Sequence, residues 1–355
     1  MTRAVGLNAH GQGSPARALV TGGAGFIGSH LVESLLGRGC EVVVLDDLST
    51  GSRGNLPAHG ALTVVETTLR GAIGDDGVLR DERVRGPFDH VYHLAAAVGV
   101  KRVVDHPIES IETNAFDTAA ILRFALRAGR GGSPARTLIA SSSEVYGKSN
   151  EEVFREGGDS LLGPTTSRRW SYAMSKALGE HLALAHHERH ALPVVIARFF
   201  NTVGPRQVGE YGMVLPRFVR AALEGEPLVV FGDGEQSRCF CDVRDVAPAL
   251  PALLACDQAL GSVVNIGSDV PISIRTLAET VVKTLGSSSE IEHRSYDAVY
   301  GVGFEDLRRR KPEVSRVRGL IGFEPSVALE RTIEDLASWM RSERAAVSKR
   351  GASAR

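Results

Sequence analysis

The stretch Thr21-Gly22-Gly23-Ala24-Gly25-Phe26-Ile27-Gly28 narrows most what this chain can become. It follows the short apolar run Ala18-Leu19-Val20. It leads into Phe26 to Gly37, where Ile27, Leu31, Leu35 and Leu36 recur at helical spacing. A strand that turns into a helix through Gly22, Gly25 and Gly28 brings backbone within contact distance of a bound phosphate, because no Cβ intervenes. The start of that helix adds unpaired N–H groups and a partial positive charge. The glycine spacing is G-x-x-G-x-x-G rather than G-x-G-x-x-G, and a tight turn with no ligand would read similarly, so residues farther along the chain carry weight.

Glu41-Val42-Val43-Val44-Leu45 reads as a buried strand. It ends in Asp46, 24 residues after Gly22, where a carboxylate can accept hydrogen bonds from adenosine ribose hydroxyls. An anion there repels a 2′-phosphate, so the pattern favours NAD over NADP. Adjacent Asp47 reads as a capping residue. Further strands are expected at 62–65, 90–94, 137–140 and 194–197, alternating with helices at 108–128 and 171–190. Alternation of that kind gives βαβ units, hence an α/β fold with a doubly wound parallel sheet and helices on both faces. After about residue 200 the elements shorten and turns multiply. This predicts a smaller C-terminal lobe on the end of the sheet, with helices at 273–285 and 326–341. The expected division is a disordered leader (1–16), a dinucleotide-binding domain (17–200), a substrate lobe (201–342) whose elements can interleave with the first, and a solvated basic tail (343–355). No internal repeat is present.

Composition excludes other classes. Hydrophobic residues make up 43% and charged residues 23% of the 355, an ordinary globular balance. No apolar run approaches the ~18–20 residues that span a bilayer. Forty-one Lys and Arg against 42 Asp and Glu leave a net charge of -1, which provides no field for nucleic acid or anionic lipid. The leader lacks a secretory core, so a cytoplasmic protein is expected. Four cysteines (Cys40, Cys239, Cys241, Cys256) lack metal-ligand spacing and read as buried or half-buried thiols, with no metal.

Tyr172 and Lys176 stand four apart near the start of a long helix and so share one face. A phenol ordinarily titrates near ~10, too high for a base at neutrality. A neighbouring ammonium and an oxidised nicotinamide ring favour its anion, which could then take a hydroxyl proton as hydride leaves carbon. Upstream, Ala140-Ser141-Ser142-Ser143-Glu144-Val145-Tyr146-Gly147 ends a predicted strand, at the edge where doubly wound folds hold ligands.

From about residue 17 to 340 the chain resembles the extended short-chain dehydrogenase/reductase family of nucleotide-sugar epimerases, dehydratases and decarboxylases. Thr21–Gly28, His93-Leu94-Ala95-Ala96, Ser141–Gly147, Ser171–Lys176 and Arg198-Phe199-Phe200-Asn201-Thr202-Val203-Gly204-Pro205-Arg206 carry the likeness. The resemblance implies Tyr172 as catalytic base, Lys176 as its partner and ribose anchor, and Ser142 as the assisting hydroxyl. It implies Gly22, Gly25, Phe26, Ile27, Gly28, Asp46, Leu94 and Ala95 as the remaining NAD contacts. Ser143, Asn201 and Arg238 are implied on the sugar nucleotide, and Arg169 reads equally as a contact to a substrate carboxylate or as a helix cap. A homodimer packed along 108–128 and 171–190 is also implied; Leu178, Leu182 and Leu184 supply apolar surface that a partner or an intramolecular core would cover equally well.

Family members share oxidation of the sugar C4 hydroxyl, and neighbouring residues direct the later steps. A 4,6-dehydratase carries Thr-Asp-Glu where this chain has Ser142-Ser143-Glu144, which counts against dehydration. Ser-Ser-Glu-Val-Tyr-Gly and Arg308-Arg309-Arg310-Lys311-Pro312 are similar to the uronate decarboxylases and imply Glu144 and Arg310 as reaction residues. The expectation is a UDP-glucuronate decarboxylase yielding UDP-xylose or its 4-keto form. Against it, His93 to Lys101 is closer to the epimerases, and Tyr172-Ala173-Met174-Ser175-Lys176 lacks the acidic residue of many decarboxylases. A nucleotide-sugar 4-epimerase is the alternative. A non-catalytic NAD-binding regulator would have no need of Ser142, Tyr172 and Lys176.

Overall fold

β-Branched apolar runs form a central sheet, and a computed structural model describes residues 15–99, 103, 105–209, 213–295 and 307–353, with side chains to 345. Residues 1–14 of the expected leader, Val100-Lys101 and Gly301–Asp306 lie outside the described residues. The major strands are β1 (Arg17–Thr21), β2 (Glu41–Asp46), β3 (Leu62–Glu66), β4 (His90–His93), β5 (Arg136–Ser142) and β6 (Val194–Phe199). Shorter ones follow as β7 (Thr202–Val203), β8 (Leu228–Phe231), β9 (Ser237–Cys239) and β10 (Cys241–Asp242), then β11 (Ser262–Ile266), β12 (Pro271–Ser273) and β13 (Ile291–Arg294).

Seven strands pair in the order β11-β6-β5-β4-β1-β2-β3, every pair parallel. The chain leaves β1 toward β2 on one side and returns to β4 on the other, so the loops after β1 and β4 diverge and open a crevice. Register puts Thr21 beside both Leu45 and His93, and Ser142 beside Phe199. Thr21, Asp46, His93 and Ser142 therefore reach the same carboxyl edge.

Helices cover both faces, as the alternation predicts. α1 (Phe26–Gly37) lies on one face. α2 (Leu69–Ile73), α3 (Pro107–Ala125) and α4 (Ser171–His190) cover the other. In the second half, α5 (Val214–Glu224), α7 (Ile274–Leu285) and α9 (Leu329–Ser353) build a separate apolar core with β8, while α6 (Val243–Ala255) and α8 (Ser315–Ile321) pack with α1. Ser273 caps α7 by accepting from the Thr276 N–H at 3.0 Å.

β11, α6 and α8 return to the first domain, an interleaving that carries Val264 and Ile266 into the larger core. One reading needs adjusting. The last helix continues to Ser353, through the stretch expected to be a solvated tail. Leu182 and Leu184 pack against the core beneath α4, and only Leu178 of the three faces out. Cys40, Cys239 and Cys241 are buried, Cys256 is half-buried, and all four thiols are free. Among the described residues no helix is long and apolar enough to cross a membrane.

Beneath the carboxyl edge lies a buried ion pair. Glu180 Oε1 and Oε2 accept from Arg198 Nε at 2.9 Å and Nη2 at 2.6 Å, and the Ser141 hydroxyl also donates to Glu180. Both charged side chains are under 9% exposed. A bidentate pair with a third donor offsets its own desolvation, whereas one partner alone does not. Glu180→Ala, which strands the Arg198 charge in the core, is expected to lower the free energy of unfolding by about 3–5 kcal/mol in a denaturant titration.

Candidate active site

The crevice is a cavity of about 620 Å³. Its walls include Gly22, Gly25, Phe26, Ile27, Gly28 and Asp46 on the β1–β2 side. Leu94, Ala95, Ser142, Ser143 and Glu144 line it from β4 and β5, with Arg169, Tyr172, Lys176, Asn201 and Arg310 completing it. Of the residues singled out in the sequence, Arg238 alone is not among the lining residues. It sits buried on β9, beside Cys239, whose carbonyl accepts from Asn201 Nδ2 at 3.1 Å.

The glycines shape the cradle. Gly22 has φ +71°, and a Cβ there would lie 2.6 Å from the Ala95 amide nitrogen. A Cβ on Gly28 would sit 2.8 Å from Gly23 Cα. Asp46 Oδ2 accepts from the Ala24 N–H and Oδ1 from the Leu48 N–H, both at 2.9 Å. Each carboxylate oxygen keeps a lone pair for a hydroxyl from the cavity. Burial raises the Asp46 carboxyl, and the amides of Leu48 and Ala24 oppose the rise. Asp47 caps the Ser49 N–H at 2.9 Å, as expected of it.

His93 holds the other wall. Its Nδ1 lies 2.8 Å from Thr21 Oγ1 and its Nε2 lies 3.2 Å from Thr118 Oγ1. The Thr118 hydroxyl donates to Asn114 O at 2.7 Å, and the Ala95 N–H donates to Thr21 Oγ1 at 3.3 Å. This order leaves one consistent tautomer, with Nε2–H donating to Thr118 and Nδ1 accepting from Thr21. Burial, aided by the Lys176 charge, drives the imidazole down to about 3, so the ring is neutral. The backbone after β4 is thereby fixed against Gly22.

Tyr172 and Lys176 project from α4 into the cavity, with Lys176 Nζ 6.0 Å from the Tyr172 ring centroid. Lys176 Nζ donates to Ala140 O at 2.9 Å. The Ser142 side chain stands close enough to the Tyr172 phenol to pull its pKa down. Ser142 Oγ in turn accepts from the Glu144 N–H at 3.2 Å. One expectation is altered here: Lys176 does not bring the phenol toward neutrality. Enclosure pushes Tyr172 above its ordinary value; the Ser142 contact and the Arg310 charge pull it down, and Glu144 pushes it higher. Burial lowers Lys176 itself to about 8, with Glu180 opposing.

At the far end, Glu144 is held between two arginines. Oε2 lies 2.6 Å from Arg169 Nη1 and Oε1 lies 2.7 Å from Arg310 Nη1. The three side chains are 8–15% exposed. Burial alone would raise the Glu144 carboxyl, but Arg310 and Arg169 outweigh it and hold it at about 2. Glu144 is therefore a fixed carboxylate rather than a proton carrier near neutrality. Two guanidiniums thus converge on one carboxylate, and Arg310 Nε is buried without a hydrogen-bond partner among the described residues.

Several lining residues escaped sequence reasoning. Thr67, Thr68 and Arg70 follow β3, and Glu109, Thr113 and Asp117 face the cavity from α3. The α3 group repeats every four residues, a polar stripe that was legible as one edge of the helix. Burial raises Asp117 to about 6, with Arg70 Nε at 3.0 Å opposing the rise.

A profile of the NAD-dependent epimerase/dehydratase family matches residues 18–267. The chain belongs to that family. Within it, a UDP-N-acetyl-alpha-D-glucosaminuronate decarboxylase of Bacillus cytotoxicus is 40% identical over 92% of this chain and 98% of its own length. UDP-glucuronic acid decarboxylase 1 of Arabidopsis thaliana is 34% identical over 92% of this chain and 70% of its own. A solved UDP-glucuronic acid 4-epimerase variant of Bacillus cereus, in complex with UDP-4-deoxy-4-fluoro-glucuronic acid and NAD, superposes with a TM-score of 0.77. It is 26% identical and the match covers 92% of this chain and 99% of that one. The cofactor of this family enzyme is NAD, and the glycine cradle and Asp46 suit it.

Lys176 links site and stability with a definite sign. Its folded value of about 8 lies below the ordinary lysine value of 10.5, so folding opposes the proton. The penalty is complete below pH about 8 and fades as pH rises toward 10.5. Lys176→Met, close in shape, is expected to raise the thermal midpoint at pH 7, with a gain that shrinks between pH 8 and 9.5. Parallel melts of both proteins check this.

Proposed function

We propose that this enzyme is a UDP-hexuronate decarboxylase that oxidises C4 of the sugar and releases C6 as CO2. The observation that carries the reading is the cationic end built by Arg169, Glu144 and Arg310 beside Tyr172. A neutral hexose has no use for two guanidiniums there, whereas a C6 carboxylate is their complement.

Tyr172 and Ser142 hold the C4 oxygen between two hydroxyls, and Tyr172 takes the proton of the C4 hydroxyl. Bound NAD supplies the hydride acceptor and, while oxidised, a positive charge that favours the phenolate. The C4 ketone makes the sugar a β-keto acid: the C5–C6 bond breaks, its electron pair passes to an enolate at C4, and CO2 leaves. Tyr172 and Ser142 donate to the enolate oxygen, and C5 then takes a proton from solvent water, which restores the C4 ketone. Glu144, fixed as an anion, repels the substrate carboxylate while Arg310 and Arg169 bind it. Losing CO2 relieves that repulsion, so the site favours the transition state over the bound acid.

The decarboxylase names of the two relatives support this reading. The Bacillus cytotoxicus relative favours a 2-acetamido sugar and the Arabidopsis thaliana relative a 2-hydroxy one. The products expected from UDP-glucuronate are UDP-xylose or its 4-keto form. The 4-epimerase reading is favoured by the Bacillus cereus structure, whose ligand keeps a C6 carboxylate. Incubation of each UDP-hexuronate with NAD, followed by mass spectrometry, separates the two. Loss of CO2 is expected; an unchanged mass with C4 inverted overturns the decarboxylase. Tyr172→Phe is expected to slow turnover about 10²–10⁴-fold, and Arg310→Ala to slow CO2 release about 10²-fold while C4 oxidation continues.

We also infer a homodimer packed along α3 and α4. Ile108, Ile111, Phe116 and Leu178 are 40–69% exposed on these two helices, more apolar surface than a solvated helix pair usually carries. Sedimentation at micromolar concentration is expected to give a dimer, and Ile108→Glu with Leu178→Glu a monomer. A wild-type monomer overturns this.

A further inference from the structure

Asn265, in β11, is fully buried beside the cavity and is not one of its lining residues. Its side-chain amide uses one acceptor and two donor positions. Oδ1 accepts from Tyr146 Oη at 2.7 Å, and Nδ2 donates to Phe154 O at 2.9 Å and to Glu313 O at 3.2 Å. Its backbone N–H donates to Glu156 Oε1 at 3.0 Å.

Tyr146 and Glu313 belong to the two chain segments that meet in the charged end of the site, and Phe154 and Glu156 to the chain between them. Tyr146 follows Glu144 by two residues within the same short 3-10 turn. Glu313 follows Arg310 by three. Phe154 ties the second segment down further, donating from its N–H to Lys311 O at 2.8 Å and accepting from the Glu313 N–H at 2.9 Å. One amide therefore joins a segment near residue 145 to one near residue 312, and the contact between Glu144 and Arg310, at 2.7 Å, lies just beyond that joint. The Tyr146 ring also carries the Arg198 guanidinium 4.7 Å from its centroid, and Arg198 pairs with Glu180, one turn beyond Lys176. The same joint thus borders the acid–base helix.

We infer that Asn265 is a positioning residue, the group that sets Arg310 against Glu144 and so aims the cationic end at the substrate carboxylate. It touches neither substrate nor cofactor. An amide suits the task because it presents an acceptor to one segment, and one donor each to the other and to the Phe154 carbonyl bound to it, without adding charge to the core. Aspartate would lose both donors, and leucine all three bonds. The inference rests on the decarboxylase reading for its chemistry, and on the contacts alone for the coupling.

The test is a double-mutant cycle of Asn265→Leu and Arg310→Ala, read in two signals: NADH absorbance for C4 oxidation in a single turnover, and CO2 release. Asn265→Leu is expected to slow CO2 release about tenfold or more while C4 oxidation changes less than about threefold. In the Arg310→Ala background, Asn265→Leu is expected to change either signal less than about twofold. Equal slowing of both signals by Asn265→Leu, or its full factor recurring without Arg310, overturns the proposal. Tyr146→Phe, which keeps the ring and loses one bond, enters the same cycle should Asn265→Leu not fold, with the same pattern expected and the same results overturning it. A wild type that inverts C4 and releases no CO2 defeats the decarboxylase reading instead. The cycle is then read on the affinity for a UDP-hexuronate by calorimetry, where additive effects overturn the coupling.

Discussion

The absence of side chains at Gly22 and Gly28 is the constraint on which this architecture hangs. Helix α1 starts so close to the exits of β1 and β4 that a single methyl at Gly22 would meet the Ala95 amide, and one at Gly28 the backbone of Gly23. With that approach allowed, a helix N-terminus opens on the crevice between diverging loops, and the chain's first fifty residues supply both a cradle for phosphates and, in Asp46, an acceptor for ribose. The neutral His93, ordered between Thr21 and Thr118, keeps the facing loop in register with the cradle.

The chemistry depends on a second arrangement, one of charge. Glu144 on its own would be a buried carboxylate of raised pKa and so a candidate acid. Flanked by Arg169 and Arg310, it is instead an anion held at about 2. This removes it from proton transfer near neutrality and turns the end of the cavity into a cation with an internal counter-charge. Such a site can bind a carboxylate and strain it at once. Tyr172 illustrates the opposite balance. Burial outweighs the charges the chain brings near it, so the phenol stays protonated by its surroundings in the protein itself.

Most of the fold was legible because its signals are local. β-Branched runs at 41–45 and 194–197 have the composition of strands buried on both faces, and a glycine turn between strand and helix has few other uses. Tyr172 and Lys176 could be paired from spacing alone, since a helix fixes which residues share a face. Arg70 and Asp117 were missed because their role comes from facing a cavity that neither local pattern announces. Leu182 and Leu184 suited a partner surface and a core equally, and the core beneath α4 absorbs them. Apolar character says that a residue will be covered and not by what.

By itself the sequence determined the parallel sheet, the glycine turn, the carboxylate that ends β2 and the shared face of Tyr172 and Lys176 on α4, all properties of residues near one another along the chain. Tertiary structure alone decided that β11 completes the sheet from the second half and that Arg238 stands outside the cavity. It also decided that Arg310 reaches Glu144 across 166 positions of sequence. The reason is physical: hydrogen-bond geometry and helical period act over a few residues. The ionisation of a carboxylate depends on whatever charges the whole fold brings within a few ångströms.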